Sequence, residues 1–137
     1  MARVDVHSAK GSFRTPIVLA SGPAGFGCDL GRALDFRRIG ALTTKTITHE
    51  PREGNPQPRI VDAPCGALNS IGLENPGVAR FRSEMMPKIR ALPTARIVSI
   101  AGRSADEVGR VAGALEGEPG VAWLELNLSC PNVRGET

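Results

Sequence analysis

The chain has 137 residues, and its hydrophobic share of 41% is enough for one domain with an ordinary core. The net charge of +3 comes from dispersed basic residues, and aromatic residues make up only 4% of the chain, which argues against a nucleic-acid partner. Three cysteines without CxxC spacing favour a reduced, cytoplasmic protein without a metal site. No apolar run reaches the roughly 20 residues of a membrane span, so a membrane protein is not expected.

The first part of the chain predicts a hairpin, two strands and a short helix. Alternating residues on either side of Lys10-Gly11 predict a hairpin that serves as a lid or plug. The apolar run at 17–20 predicts a parallel strand buried on both faces. Residues 30–36 predict a brief helix, and residues 41–46 have the β-branched content of a second strand.

A long loop and a helix are predicted next. Residues 50–72 are rich in proline and glycine, and a loop of that length in a compact domain is usually functional. Asn75-Pro76 is typical of a helix start. The apolar residues that then recur at helical spacing are Val78, Phe81, Met85 and Ile89.

The last third of the chain predicts another α/β unit and with it the fold class. Residues 97–102 and 121–128 read as strands, and Ser104 with Glu107 forms a capping box that opens the helix between them. Alternating strands and helices imply an α/β fold with a parallel sheet. Four such units fit either part of a (β/α)8 TIM barrel or a small doubly wound sheet. The absence of GxGxxG after the first strand weakens the dinucleotide-binding form of the second alternative.

In both architectures a ligand binds beyond the carboxyl ends of the strands, so the residues there are candidates. Lys45 ends the second strand and either neutralises an anionic ligand or is a snorkelling lysine. Asn127 and Glu125 are expected on the same side of the fourth strand, where the amide contacts a ligand or ties loops together. Cys130 follows that strand and either transfers a proton or is inert packing, the role expected of Cys28 and Cys65.

Five motifs stand in order along the chain. They are ASG at 20–22, TKTIT at 44–48, EPREGNP at 50–56, LNSIGLENPG at 68–77 and LNLSCPN at 126–132. Together they resemble class 1 dihydroorotate dehydrogenases, and the KTIT and NSIGL versions look most like the class 1B branch. The resemblance implies a TIM barrel, of which residues 1–137 would contribute the amino-terminal half, with the hairpin and the first four βα units.

The resemblance also implies a flavin site and a substrate site, with Cys130 as the catalytic base. The residues implied to bind FMN are Ala20, Ser21, Gly22, Lys45, Thr46 and Asn127. The residues implied to bind substrate are Lys45, Asn69, Ser70, Ile71, Gly72, Leu73, Asn127 and Asn132.

The activity implied by the resemblance is oxidation of dihydroorotate to orotate in pyrimidine (UMP) biosynthesis. Cys130 would take a proton while a hydride passes to FMN. Electrons would then reach NAD through a partner subunit that carries FAD and an iron-sulfur cluster, and the enzyme would be a cytoplasmic homo-oligomer.

Two alternatives remain beside this expectation. The related domain of dihydropyrimidine dehydrogenase shares the NLSCP segment, although Asn132 and residues 69–73 favour orotate. The chain ends at Thr137, before the second half of a barrel, so it is also expected to be a truncated product that self-associates and stays inactive without the missing half.

Overall fold

The computed structural model describes residues 5–8 and 11–131 of the chain. The strands, in chain order, are β1 (Val6–Ser8), β2 (Gly11–Phe13), β3 (Val18–Leu19), β4 (Ala41–Thr43), β5 (Ile60–Ala63), β6 (Gly66–Asn69), β7 (Ala95–Ile100) and β8 (Trp123–Leu126). The α-helices are α1 (Ser21–Ala24), α2 (Gly77–Arg80), α3 (Met86–Arg90) and α4 (Ala105–Leu115). A π-helical turn, Phe81–Met85, joins α2 to α3, and 3₁₀ turns span Cys28–Arg32 and Phe36–Arg38.

A parallel sheet with the order β3-β4-β7-β8 organises the structure, which confirms the predicted α/β class. Its centre is buried on both faces, because Leu42 and Val98 on one face and Ala41 and Ser99 on the other are all fully inaccessible. Runs of apolar residues in consecutive positions are what such a doubly covered parallel strand requires.

The first strand of the sheet differs from the prediction. Residues 17–20 were expected to be buried on both faces, but Ile17 is 54% exposed and Val18 is 44% exposed. The reason is position, since β3 stands at one end of the described sheet and pairs with β4 alone. Local sequence indicates a strand but does not say which neighbours it will have.

The helix after residue 75 is confirmed, with two corrections. It begins at Gly77 rather than at Pro76, and the Asn75 side chain accepts a hydrogen bond from the Gly77 N–H at 2.9 Å. The second correction concerns the buried face, where Met86 is fully buried and Met85 only partly. Pro87 lacks an N–H to continue the regular ladder, and the Met86 N–H reaches the Phe81 carbonyl in a π-type bond.

Helix α4 follows the predicted pattern closely. The Ser104 hydroxyl accepts a hydrogen bond from the Glu107 N–H at 3.2 Å, which is one arm of the capping box. The Glu107 carboxylate returns to the Arg103 N–H at 2.9 Å rather than to that of Ser104. Val111 and Leu115 are buried against the sheet.

Among residues 5–8 and 11–131, no helix has both the length and the apolar character that a membrane crossing requires.

The brief helix predicted for residues 30–36 is wrong. Two 3₁₀ turns, Cys28–Arg32 and Phe36–Arg38, occupy this region instead. Asp35 lies between them in an extended conformation, and its carboxylate accepts a hydrogen bond from the Arg37 N–H at 3.1 Å. A side chain that bonds to the backbone two residues later favours a turn over a continuing helix.

The long loop predicted for residues 50–72 is only partly a loop. It contains the antiparallel hairpin β5–β6, in which Ile60 pairs with Asn69 and Ala63 with Gly66. This hairpin stands out from the sheet, since Ile60 is 64% exposed and Leu68 is 65% exposed. The sequence did not indicate these strands, because proline and glycine flank them and because neither strand has the buried face that produces a recognisable pattern of apolar residues.

The amino end of the sheet is closed by the first hairpin and by polar contacts to backbone carbonyls. Pairing of β1 with β2 confirms the predicted hairpin, and the Phe13 ring packs on Trp123, which begins β8, with ring centroids 4.7 Å apart. The Arg96 guanidinium donates to the carbonyls of Gly120 at 2.6 Å and Leu92 at 2.9 Å. The hairpin is therefore a plug at the amino end and lies away from the carboxyl ends.

Candidate functional site

A bulge at the end of β4 sets the position of Lys45. The Thr44 N–H donates to the Ile97 carbonyl, and the next bond in the ladder runs from the Ile47 N–H to the Ser99 carbonyl. Three residues on one strand thus match two on the other, which is one extra residue, and such bulges re-aim side chains. The side chains of Thr44 and Thr46 are buried on either side of Lys45, whose own side chain is 32% exposed.

A buried chain of hydroxyl groups ties the ends of three neighbouring strands together. The Thr46 hydroxyl lies 3.0 Å from that of Ser99, and both residues are buried. Asn127, which follows β8, donates its amide N–H to the Thr46 hydroxyl at 3.0 Å. This bond turns the Asn127 amide nitrogen toward β4, so that its carbonyl oxygen is the group left for other contacts.

The segment that follows β6 is held in an unusual conformation. Gly72 has φ +76°, and a Cβ there would lie 2.6 Å from the Asn55 side-chain oxygen, so only glycine fits. Leu73 has φ +53°, a left-handed conformation that is uncommon for a residue other than glycine. Its carbonyl accepts a hydrogen bond from the buried Asn75 amide at 2.8 Å. Backbone strain of this kind concentrates at functional sites.

An acidic residue joins this segment to Lys45. One carboxylate oxygen of Glu74 lies 3.7 Å from the Lys45 ammonium and 2.7 Å from the Arg59 guanidinium. Arg59 is itself anchored, because it also donates to the backbone carbonyls of Asn55 at 2.5 Å and of Glu53. The end of β4 and the segment after β6 therefore meet around one carboxylate.

A cavity of about 550 Å³ opens at the carboxyl ends of β7 and β8. Three of the predicted site residues line it together, namely Leu73, Asn127 and Cys130. Arg52 and Arg103 also contribute to the wall. Cys130 is half-buried and borders the cavity.

The residues at the end of β3 form a more open surface. Ser21 is half-buried and Gly22 is exposed, and no heavy atom lies within 4 Å of the place where a Cβ of Gly22 would stand. Gly25, just beyond α1, accepts a hydrogen bond from the Lys45 N–H at 2.7 Å, which links this surface to the β4 bulge. This open backbone leaves room for a ligand against the surface at the end of β3.

Some predicted residues lie apart from the cavity. Asn69 ends the exposed hairpin, and the Ser70 hydroxyl accepts a hydrogen bond from the Asn55 amide at 2.7 Å. Ile71 contributes its carbonyl, which accepts from the Asn55 N–H at 3.0 Å. The predicted site residue Asn132 lies outside the described residues.

The other two cysteines are separate from this site. Neither Cys28 nor Cys65 lines the cavity that contains Cys130. Partial loss of hydration, with a contribution from the Asp29 carboxylate, raises the pKa of the Cys28 thiol. A raised pKa keeps the thiol protonated and less reactive. The packing role predicted for Cys28 and Cys65 is wrong, however, because both side chains are exposed.

Sequence reasoning missed the residues that support the site. Glu74 lies inside one of the five motifs, and its position directly after Leu73 was the available signal. Ser99 was concealed because an isolated serine in an apolar strand does not indicate which hydroxyl it will meet. Arg59 gave no signal at all, since its role depends on a turn that brings it back to Glu74.

Comparison with known proteins gives consistent matches. The family model for dihydroorotate dehydrogenase matches residues 3–137. The catalytic subunit of dihydroorotate dehydrogenase B (NAD(+)) from Desulforudis audaxviator is 46% identical over 123 residues, which cover 90% of this chain and 40% of that protein. The subunits of the same name from Maridesulfovibrio salexigens and Thermoanaerobacter pseudethanolicus are 44% and 43% identical, and each match covers 96% of this chain and 43% of the relative. The chain thus spans about two fifths of the length of these relatives.

Proposed function

Because the chain belongs to the dihydroorotate dehydrogenase family, we propose that it carries flavin-binding and substrate-binding residues of an enzyme that oxidises dihydroorotate to orotate in pyrimidine biosynthesis. The observation that carries this proposal is the meeting of Leu73, Asn127 and Cys130 in one cavity beside the Lys45 bulge. Two separate family motifs contribute these three residues, and the Asn127–Thr46 hydrogen bond joins them to the motif that contains Lys45.

The proposed architecture is a (β/α)8 barrel to which this chain contributes the hairpin and four strands. The strand order β3-β4-β7-β8 follows chain order without reversal. A doubly wound sheet reverses its order at a switch point, whereas a barrel adds each strand beside the last. The consecutive order supports the barrel.

FMN is the proposed cofactor, and when bound it would supply the hydride acceptor. The residues proposed to hold it are Ala20, Ser21, Gly22, Lys45, Thr46 and Asn127. Ala20, Ser21 and Gly22 offer open backbone, and the Lys45 ammonium would balance negative charge on an electron-rich ring. Thr46 would act through Asn127, because its own hydroxyl is buried and bonded to that amide.

The substrate is proposed to bind between Lys45 and the segment after β6. The residues assigned to it are Lys45, Asn69, Ser70, Ile71, Gly72, Leu73, Asn127 and Asn132. A carboxylate already lies 3.7 Å from the Lys45 ammonium in the form of Glu74, which supports an anion-binding role for this lysine. The Asn127 carbonyl oxygen can accept an N–H of a pyrimidine ring, because its amide nitrogen is committed to Thr46.

Cys130 is the proposed catalytic base. Cysteine is among the side chains that transfer protons in enzymes when they are held close to the substrate. Its place in the wall of the cavity, half-buried, is where a proton acceptor for a bound substrate is needed. Proton removal by Cys130 would accompany hydride loss from the adjacent carbon of dihydroorotate.

The proposed cellular setting follows the relatives named as NAD(+)-linked catalytic subunits. Electrons would leave FMN for NAD through a partner subunit with FAD and an iron-sulfur cluster, and the enzyme would form a homo-oligomer. All three cysteines are free thiols, which suits a reducing cytoplasm.

A titration of two ligands tests the proposal. Lys45→Ala should weaken binding of both FMN and orotate, each by about tenfold or more, because one cation would serve both. Lys88→Ala, which removes an exposed lysine on α3, is the matched control and should leave both affinities unchanged. Native affinity for both ligands in Lys45→Ala would contradict the proposed site.

A further inference from the structure

The Glu74 carboxylate contacts Arg59 and Lys45 at different distances and in different ways. Its distance of 2.7 Å to the Arg59 guanidinium is that of a charge-assisted hydrogen bond, whereas 3.7 Å to the Lys45 ammonium is an ionic contact without a hydrogen bond. Lys45 has three N–H donors. Within residues 5–8 and 11–131, Glu74 is the ionic partner found for this ammonium, and no hydrogen-bond acceptor is found for it.

Arg59 is built to keep Glu74 in place when Lys45 changes partner. Its side chain is only 19% exposed, and its guanidinium donates to the carbonyls of Asn55 and Glu53 as well as to Glu74. The Ser70 N–H in turn donates to the Arg59 carbonyl at 2.8 Å. Loss of the Lys45 contact would therefore leave Glu74 still paired, without an uncompensated charge.

We propose that Glu74 is a built-in counter-ion that an anionic substrate displaces from Lys45, and that Glu74 thereby sets the affinity of the site for anions. This rests on the proposed role of Lys45 in binding orotate. Before binding, the carboxylate neutralises part of the lysine charge. During binding the substrate must compete with it, so the site discriminates against weakly held anions.

The charge and the packing of Glu74 can be separated by one substitution. Glu74→Gln keeps a side-chain oxygen that can accept from Arg59, and it preserves the volume beside Gly54, where a Cβ would lie 3.0 Å from the Glu74 Cβ. It removes only the charge. We expect orotate to bind Glu74→Gln about threefold to tenfold more tightly, with a steeper loss of affinity as salt concentration rises.

A matched control distinguishes this from a general change in charge. Glu84→Gln also removes one acidic charge from an ion pair, that with Arg80 on the helix surface, and should leave orotate affinity unchanged. A loss of affinity in Glu74→Gln, or an equal gain in both variants, would overturn the inference. If the substitution only damaged the loop, orotate affinity would fall. A gain in orotate affinity that occurs in Glu74→Gln but not in Glu84→Gln therefore cannot come from a purely structural role.

A second measurement needs neither flavin nor substrate. The chain has three lysines, and acylation of each can be followed by peptide mass spectrometry. Lys45 should react with acetic anhydride faster in Glu74→Gln, because the carboxylate that lies 3.7 Å from its side-chain nitrogen in the wild type is gone. Lys88 serves as the internal control and should not change. If the wild-type protein does not bind orotate but Lys45 reactivity still rises, the proposed function fails and the counter-ion remains; if reactivity does not change, the counter-ion role itself is overturned.

Discussion

The two ends of the central sheet use polar groups in opposite ways. At the amino end, the Arg96 guanidinium is bonded to two backbone carbonyls and the Thr94 hydroxyl donates to the Ile39 carbonyl at 2.8 Å. At the carboxyl end, the Lys45 ammonium has only the long contact with Glu74 within residues 5–8 and 11–131, and the Cys130 thiol borders a cavity. Polar groups satisfied by backbone carbonyls stabilise the fold, whereas groups left partly unsatisfied are available to a ligand.

This difference teaches where sequence changes should alter stability and where they should alter chemistry. In parallel α/β folds, ligand-binding residues lie beyond the carboxyl ends of the strands, whereas residues at the amino ends support the fold. Leu73 shows the same division, because its left-handed backbone costs about 1 kcal/mol or more and is kept beside the cavity. Four substitutions test the division, from the largest expected effect to the smallest.

The largest effect is expected for the thiol at the carboxyl end. In the full-length context, Cys130→Ser should slow reduction of bound flavin by dihydroorotate by about 10²-fold to 10⁴-fold at neutral pH, since a hydroxyl forms the anion that accepts a proton far less readily than a thiol does. Binding of FMN and orotate should survive. Single-turnover stopped-flow absorbance measures the rate, with Cys65→Ser on the exposed β5–β6 turn as the control. An unchanged rate would remove Cys130 from the role of base.

The next effect is on stability, at the amino end. A Cβ at Gly40 would lie 2.0 Å from the Thr15 carbonyl oxygen, so Gly40→Ala must push the chain apart where β4 begins. We expect the free energy of unfolding to fall by about 1–3 kcal/mol. Gly109→Ala in α4 meets nothing within 4 Å and should instead stabilise by about 0.5–1 kcal/mol. Urea denaturation measures the free energy of unfolding of both variants. Equal changes in the two would show that the close approach of Thr15 to Gly40 does not destabilise Gly40→Ala.

A smaller effect is expected where stability and chemistry meet. Thr46→Val keeps the shape of the side chain but removes its bonds to Ser99 and Asn127. The free energy of unfolding should fall by about 1–2 kcal/mol, and orotate affinity should fall with it, because the Asn127 amide loses its fixed orientation. Denaturation and orotate titration together check this. A loss of stability with native orotate affinity would mean that Thr46 does not orient Asn127.

The smallest effect concerns an exposed carboxylate near the amino end. Hydrogen bonds from Arg37 hold the pKa of Asp35 below its ordinary value. A depressed folded-state pKa means that the stabilisation is present above the unfolded pKa of about 3.9 and is lost as pH falls through the folded value. Asp35→Asn should therefore slightly lower the free energy of unfolding at pH 7. The difference in free energy of unfolding between the variant and the wild type should become smaller as pH falls below about 4. A difference in free energy of unfolding that grows in acid would contradict a lowered pKa for Asp35.

The sequence predicted the layout of the molecule more reliably than its local detail. The β-branched content of residues 41–46 and the apolar start of residues 97–102 sufficed for two of the parallel strands, because both compositions are typical of buried strands. The structure of residues 30–36 could not be predicted from composition in this way. Their helical pattern competes with the Asp35 side chain, and the choice between them depends on packing that the sequence does not display.

The candidate site shows the same limit in another form. Lys45, Leu73, Asn127 and Cys130 were all singled out from the sequence, through their places after strands and through the family motifs. Their supports were not, because Glu74, Arg59 and Ser99 act through contacts between segments far apart in the chain. A motif records which residue types are retained, while the pairing of one motif with another is set by the bulge in β4 and by the left-handed turn at Leu73.

The π-helical turn has a consequence for chain length. Phe81 and Met86 are both fully buried, although five residues of regular α-helix would place them about 140° apart around the axis. The turn absorbs one surplus residue and restores the buried face before Ile89. A homologous helix with one residue fewer between 81 and 86 would present the same apolar face in an unbroken spiral. Length differences of one residue in this helix can therefore arise without moving Asn75 or the sheet, and alignments of related sequences should place such a gap within Phe81–Met85.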